Sequence, residues 1–537
     1  SKAEKEKEAR IRHQSALRLL DAVLAGRKAL GLPQNRIAVG SQALPLLWNY
    51  NGTEARALVA EMISDFGEAA ARQQEDAREN VEQMLRQQRE RLLQEIAPSD
   101  ASLALSFMNA TRPYLQFGDS EQEQAEERRL RLEIASQEAN HNPADAVRLA
   151  EKELQTPGAL PTELLNLLTG VAAKDAHAGT QLLHDIIGRV RSTDLASVDN
   201  LNFALNLLTS QVNSSNDGVP PDDSVKTLAD AVASAALSPD FPPNSLPILQ
   251  GYMPAFRQLA PVHAQPLSQR VNGFIRIQNP QQNVWEQFNR AQATGDANQI
   301  LAVAEQASPD IRSNLFQQAA WNFANSGDMQ RTREAVQKLS DPFLREQAWQ
   351  QAIRQAATNA ANQGQFTAAR QLIQELVPDE NRAVMLAQLA TSAAAAKQEA
   401  LALQMLDEAT GLLQSRPPNS STFSAQLEVA QSFAHVKPSG AVPLLERCAA
   451  QLEQVLSAAS ELDGFLPYQH SFDGGELVLE NGLLWSSLVR PYADATARLA
   501  EADLPQAEIL AERLSLPEAR LFTELLLAQS ALADAGP

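Results

Sequence analysis

The chain has 537 residues, of which 44% are hydrophobic and only 5% aromatic, and it carries a net charge of −20. That length exceeds what one compact core serves, so two to four domains or an open-ended repeat array is expected. The acidity excludes a surface built to read phosphates: nucleic acid is not an expected partner, and an anionic membrane surface is disfavoured.

A core drawn mainly from Ala, Leu and Val suits helices packed side by side, because small side chains let backbones approach. The single cysteine, Cys448 in "PLLERCAAQLEQVL", rules out an intrachain disulfide framework and a cysteine-rich zinc site. It reads as a small buried apolar residue. No run of 18 apolar residues occurs, so no membrane insertion is expected. The chain opens "SKAEKEKEAR", without methionine and without a signal peptide. A processing site before Ser1 would mean export, which tilts the expected location toward periplasm or exterior over cytoplasm.

Nearly the whole chain reads as helix. Residues 4–30 carry Ile11, Leu17, Leu20, Val23 and Leu24 at helical spacing, and "GLP" at Gly31–Pro33 stops them. "NGT" at 51–53 is a turn between two apolar helices. Residues 69–96 read as one long, mostly polar helix with a narrow seam of Val81, Met84, Leu85, Leu92 and Ile96. A charged patch at 119–129 precedes a series of helix pairs. The first of these begins with Asn142 as cap and Pro143 in the first turn. The segment 213–223 reads as a loop. The proline-rich stretch 238–266 fits short helices with rigid corners better than strands.

From about residue 298 the sequence repeats. Units begin at Pro309, Pro342 and Pro378, which are 33 and 36 residues apart, and each reads helix, short polar turn, helix. The first helix offers a small residue at Ala320, Ala357 and Ala390, then Phe323, Ala360 or Ala393 one turn on. The turns are "NSGD", "NQGQ" and "AAKQ", with Gly327 and Gly364 in the first two. The second helix presents Thr332, Ala369 and Ala402, followed by the larger Val336, Ile373 and Leu406. In length, small-residue sites and terminal proline this resembles the tetratricopeptide repeat (TPR) family over roughly residues 298–412. It departs from the family at the first-helix aromatic, Phe316 in the first unit but Leu386 in the third, and at the turn glycine missing from the third. The resemblance implies an all-α solenoid of antiparallel helix pairs that binds protein or peptide. "LLWNYNGTEARALV" near the start also resembles uncharacterised bacterial helical-repeat proteins, which bring no activity with them.

One loop or hairpin insertion, near 464–482, interrupts the helices with "SFDGGELVLENG" and is expected to project from them. Its Tyr468, His470, Asp473, Glu476 and Glu480 are the one grouping with acid–base or cation-binding chemistry, against the plainer reading of a packing insertion. His177 and His184 lie seven apart and could share a helix face, without a third ligand; His13, His141, His263 and His435 are scattered. Asn51, Asn109, Asn213 and Asn419 sit in glycosylation-type sequons, several of which arise by chance in such a chain. The amide-rich repeat helices are either a peptide-binding surface or a neutral solvated face.

The expected organisation is an N-terminal helical region (1–118), a divergent helix-pair region with proline corners (119–297), TPR-like repeats (298–460), and an insertion loop with a C-terminal cap (461–537). The expected function is a noncatalytic scaffold for protein–protein interaction, with no cofactor and no metal. The alternatives are self-assembly into a ring, filament or shell through head-to-tail contacts, and a helical-superstructure enzyme with its site near the 468–480 loop.

Overall fold

Many helices along this chain start at proline, asparagine or aspartate, and the first helices of the repeats end at left-handed residues. The computed structural model describes residues 2–76, 79–115, 121–156, 158–215, 222–278, 282–414, 416–463, 465, 471–480 and 482–533. The chain forms two compact units, one of Ser1–Ala69 with Asn283–Pro537 and one of Ala70–Gln282.

The first unit opens with α1 (Lys2–Arg27), α2 (Pro33–Tyr50) and α3 (Gly52–Asp76). The chain breaks at both expected places, with Gly31 and Leu32 before α2 and Asn51 alone between α2 and α3, while Pro33 opens α2 and Gly52 and Thr53 open α3. Asn51 ends α2 and caps α3, its side-chain oxygen accepting from the Glu54 N–H at 3.2 Å. A buried charge network ties the three helices together. Arg27, 2% exposed, donates to Glu61 at 2.9 Å, to Asp65, and to the Arg36 carbonyl at 2.6 Å. Arg36 in turn donates to Asp65 at 2.7 Å. Such pairs fix geometry more than they add stability, since desolvation offsets much of the attraction.

The second unit holds α4 (Glu79–Ile96), α5 (Ala101–Thr111), α6 (Glu121–Glu138), α7 (Pro143–Leu154), α8 (Glu163–Lys174), α9 (Ala176–Arg191), α10 (Val198–Ser215), α11 (Asp223–Leu237), a 3₁₀ segment (Pro243–Tyr252), α12 (Met253–Leu259) and α13 (Pro261–Gln278). The stretch read as one helix over 69–96 falls on the end of α3, on α4 and on residues 77–78, which lie outside the described residues. The charged patch at 119–129 is largely the opening of α6. Asn142 caps α7 as expected, accepting from the Asp145 N–H. Of the segment 213–223 read as a loop, Asn213–Ser215 belong to α10 and Asp223 to α11, and residues 216–221 lie outside the described residues. One apolar core, drawn from Leu132 to Val271, runs under α6 to α13. At Gly179 a side chain would meet the Ala172 backbone at 2.6 Å, so only glycine lets α8 and α9 close. Arg89, also 2% exposed, donates to Glu127 at 2.5 Å, Thr111 at 2.9 Å and the Met108 carbonyl at 2.9 Å, joining α4, α5 and α6.

The remainder of the first unit is a TPR-like array of antiparallel pairs: α14 (Gln282–Thr294) with α15 (Ala297–Gln306), α16 (Pro309–Asn325) with α17 (Met329–Gln337), α18 (Pro342–Asn362) with α19 (Phe366–Leu372), α20 (Asp379–Ala395) with α21 (Glu399–Leu412), and α22 (Ser420–Val436) with α23 (Pro438–Leu462). First helices pack in sequence, α16 on α18, α18 on α20 and α20 on α22. The small sites Ala320, Ala357 and Ala390 are fully buried there, as are Thr332, Ala369 and Ala402 in the second helices. Phe316, Phe323, Val336, Ile373, Leu386, Ala393 and Leu406 are also buried, while Ala360 is half-buried. In the second repeat Ile353 fills the place of Phe316 and Leu386. The fold is all-α with a single short hairpin among the described residues.

The turns share one geometry. Gly327 and Gly364 have φ of 80° and 76°. The following N–H of Asp328 or Gln365 reaches back to the Phe323 or Ala360 carbonyl at 2.9 and 2.8 Å, which closes the helix in a Schellman motif. In the third repeat, where glycine is missing, Lys397 adopts the same conformation, φ 62°, and Gln398 bonds the Ala393 carbonyl at 2.9 Å. The pair α14–α15 is an earlier copy, with Gly295 at φ 70° and Asp296 capping α15.

The hairpin pairs β1 (Phe472–Asp473) with β2 (Glu476–Leu477), turning through Gly474 and Gly475, both left-handed. It does not project. Phe472, Leu477 and Leu479 are buried, and polar bonds lash it to residues far off in sequence. Glu476 accepts from the Gly31 N–H at 2.7 Å and from the Asn35 amide at 2.7 Å. Asn35, fully buried, also donates to the Leu477 carbonyl at 2.7 Å and accepts from the Leu479 N–H at 2.8 Å. The helix α2 has no side-chain cap of its own, so Glu476 supplies one from across the unit.

After the hairpin, a short α24 (Gly482–Leu484) runs through a π turn, Trp485–Val489, into α25 (Arg490–Ala500). Pro491 follows the π turn, which gives the ring room that a regular helix lacks. Helices α26 (Leu504–Glu512) and α27 (Pro517–Ala533) complete the array. Helices α1 and α2 then pack on α27, so the N-terminal helices cover the C-terminal end of the array.

Candidate interaction face

First helices bury one stripe and present another. On α16 the outward stripe includes Gln317 and Trp321; on α18, Gln347, Gln351, Arg354 and Thr358; on α20, Val384, Gln388 and Thr391. The intervals of three, four or seven residues keep each set on one side of its helix. Trp321 is 44% exposed. A pit of about 50 Å³ between α16 and α18 is lined by Gln317, Trp321, Leu344, Gln347 and Gln351 with Ala348 and Ala352. In a chain of net charge −20, one of these nine residues is charged, Arg354.

The amides divide into two groups. Some face solvent around the pit. Others tie repeats together: Asn359 donates to the Asn325 side chain at 2.7 Å, and Gln355 donates to the same oxygen at 2.9 Å. Gln350 is buried, donating to the Glu375 carbonyl at 3.3 Å and accepting from the Val377 N–H at 3.0 Å. Neither a peptide-binding surface nor a solvated face describes that second group. Second helices are tied across repeats by two exposed ion pairs, Lys338–Glu305 at 2.5 Å and Arg333–Glu375 at 3.1 Å, and by a half-buried one, Arg370–Glu408 at 2.5 Å. Each exposed pair is worth at most about 1 kcal/mol. A hydrogen bond from Thr422 at 2.7 Å holds the Glu380 carboxyl below its ordinary range and links α20 to α22.

Of the other residues singled out by type, Asp473 and Glu476 are brought together across the hairpin, and the rest of those described are not gathered into a site. Tyr468 and His470 lie outside the described residues. Glu476 is taken up by the Gly31, Leu32 and Asn35 donors. Asp473 pairs with Glu476 across the hairpin, and Glu480 follows it in a turn. His177 is exposed, and His184 meets Asp222 at 3.3 Å on the surface. Among the described residues no group of three or more His, Cys, Asp or Glu could hold a metal ion, and no helix is long and apolar enough to cross a membrane. Cys448 is buried against Gln426, and burial pushes its thiol up to about 12.

No protein-family model matches the chain, and no curated protein matches it. Solved structures to which it is similar include a homology model of the full-length AP-3 complex in an intermediate open conformation, at 11% identity, covering 88% of this chain and 79% of that one, with a TM-score of 0.25. A circular tandem repeat protein with novel repeat topology and enhanced subunit contact surfaces is 12% identical, with 97% and 98% covered and a TM-score of 0.15. The APC/C hetero-tetramer Cut9-Hcn1 is 14% identical, with 100% and 97% covered and a TM-score of 0.17. The TPR-like description rests on the helix pairs and turns themselves.

Proposed function

We propose that the protein is a noncatalytic scaffold whose first-helix stripe binds a protein segment, with Trp321 as the anchor. The observation that carries this is the half-exposed Trp321 beside an amide-lined pit shared by α16 and α18. Aromatic anchors set in shallow pits supply much of the energy at protein interfaces, and surrounding amides give directional bonds without steep salt dependence. The near absence of charge on the stripe fits a partner chosen by shape and hydrogen bonding. The test is selection from a random peptide library on the full chain. Selected peptides should bind Trp321→Ala at least about tenfold more weakly, a loss of the size expected for an anchor residue. Peptides indifferent to Trp321 and Gln351 would refute the proposal.

Self-assembly through head-to-tail contact of array ends has less support. Helices α1 and α2 already cover α27, the end such a contact would use.

A further inference from the structure

A second surface lies in the N-terminal helices. A cleft of about 520 Å³ opens between α1 and α3 over Leu47 of α2. Its walls have matching patterns. On α1 and the turn that follows it the lining residues are Asp21, Leu24, Ala25 and Lys28; on α3 they are Glu54, Ala57, Leu58 and Glu61. Both follow the i, i+3, i+4, i+7 spacing of a helix–helix seam. The two stripes end at a shared ion pair, Lys28–Glu61 at 2.8 Å, beside Arg27–Glu61 at 2.9 Å. The helices therefore run in the same direction along the cleft, and that end is closed. The floor is Leu24, Leu47 and Leu58, all buried, while Ala25 and Ala57 on the walls are exposed and small enough to admit another backbone.

The open end carries the asymmetry that selects an occupant. Asp21 and Glu54 stand there, one on each wall, both exposed. Neither is in an ion pair among the described residues; Glu54 meets only its own cap, the Asn51 amide, at 3.0 Å. The cations of the cleft, Arg27 and Lys28, sit at the closed end and are already paired. We propose that this cleft docks a short amphipathic helix of a partner protein, its apolar face on Leu24, Leu47 and Leu58 and a Lys or Arg between Asp21 and Glu54. The eight-residue stripes run for about 10 Å, so two to three turns suffice.

Two labelled helical peptides of about 14 residues test this on the full chain by fluorescence anisotropy. They share one Leu/Ala face and differ only in carrying Lys or Glu on the flank. The Lys peptide should saturate, with the Glu peptide at least about tenfold weaker, as complementary charge requires. Asp21→Lys with Glu54→Lys should invert that order, and Trp321→Ala should leave it unchanged. If the double reversal loses its helical circular dichroism, Asp21→Asn with Glu54→Gln should still erase the preference. The proposal is overturned if the Lys peptide does not saturate, if both peptides bind alike, or if the variants change nothing. Sedimentation showing a dimer that dissociates on Asp21→Lys would overturn it in favour of a second copy of the chain.

Discussion

Lys397 holds the same left-handed backbone as Gly364, at φ 62° and 76°, and each closes its helix by the same backward bond. A side chain in that conformation costs about 1 kcal/mol that glycine does not incur. Lys397→Gly should therefore stabilise the array by about 1 kcal/mol, and Gly364→Ala should destabilise it by a similar amount. Urea unfolding followed by circular dichroism checks both. Equal midpoints for Lys397→Gly and the parent would remove the strain argument.

Glu476 is the cap that α2 lacks, and Asn35 is the buried hub of the same bonds. Glu476→Ala should cost about 1–2 kcal/mol, the usual penalty for a lost cap. Asn35→Ala should cost more, because it strands the Leu477 carbonyl and the Leu479 N–H in the interior. Hydrogen exchange should show faster exchange at Gly31 and Leu32 in Glu476→Ala, with α20 and α21 unchanged. Uniform acceleration throughout the chain would contradict a local role.

Burial raises the Glu518 carboxyl above its ordinary value of 4.5, with nearby Glu476 acting in the same direction. The folded state thus binds its proton more tightly than the unfolded chain does. The contribution to stability is fully present below the unfolded value and is lost as pH rises through the raised folded one. Glu518→Gln keeps an oxygen for the Leu477 N–H, now bonded at 2.7 Å, and removes the buried charge. Its melting temperature should exceed the parent's at pH 8, and the gain should vanish near pH 4. A gain independent of pH would assign the effect to packing instead.

Cys448 is buried, with its thiol pushed up to about 12. At pH 8 the native protein should resist iodoacetamide for hours and label rapidly in denaturant, since only the thiolate reacts. Rapid native labelling would mean that α22 and α23 open locally.

The repeats were legible because their spacing comes from local geometry: Ala320, Ala357 and Ala390 are buried where small residues recur, and Gly327 and Gly364 turn where glycine recurs. The pair α14–α15 carries the same glycine–aspartate signal at Gly295–Asp296, although its helices depart from the pattern. The hairpin was legible from its paired glycines, but its burial was not. What draws it inward is Asn35, some 440 residues away, and no local pattern encodes such a partner. The docking of α1 and α2 on α27 has no local sequence signal for the same reason. The amides of Asn325, Gln355 and Asn359 are indistinguishable in sequence from those around Trp321; only the structure separates ties from free donors.

The central claim is that the first-helix stripe around Trp321 is read by a protein segment. The most direct measurement is hydrogen-exchange mapping of the full chain with a library-selected peptide, paired with affinities for the parent and Trp321→Ala. Protection should concentrate on α16 and α18, and the affinity should fall at least about tenfold in the variant. Protection elsewhere in the chain with equal affinities would contradict the account.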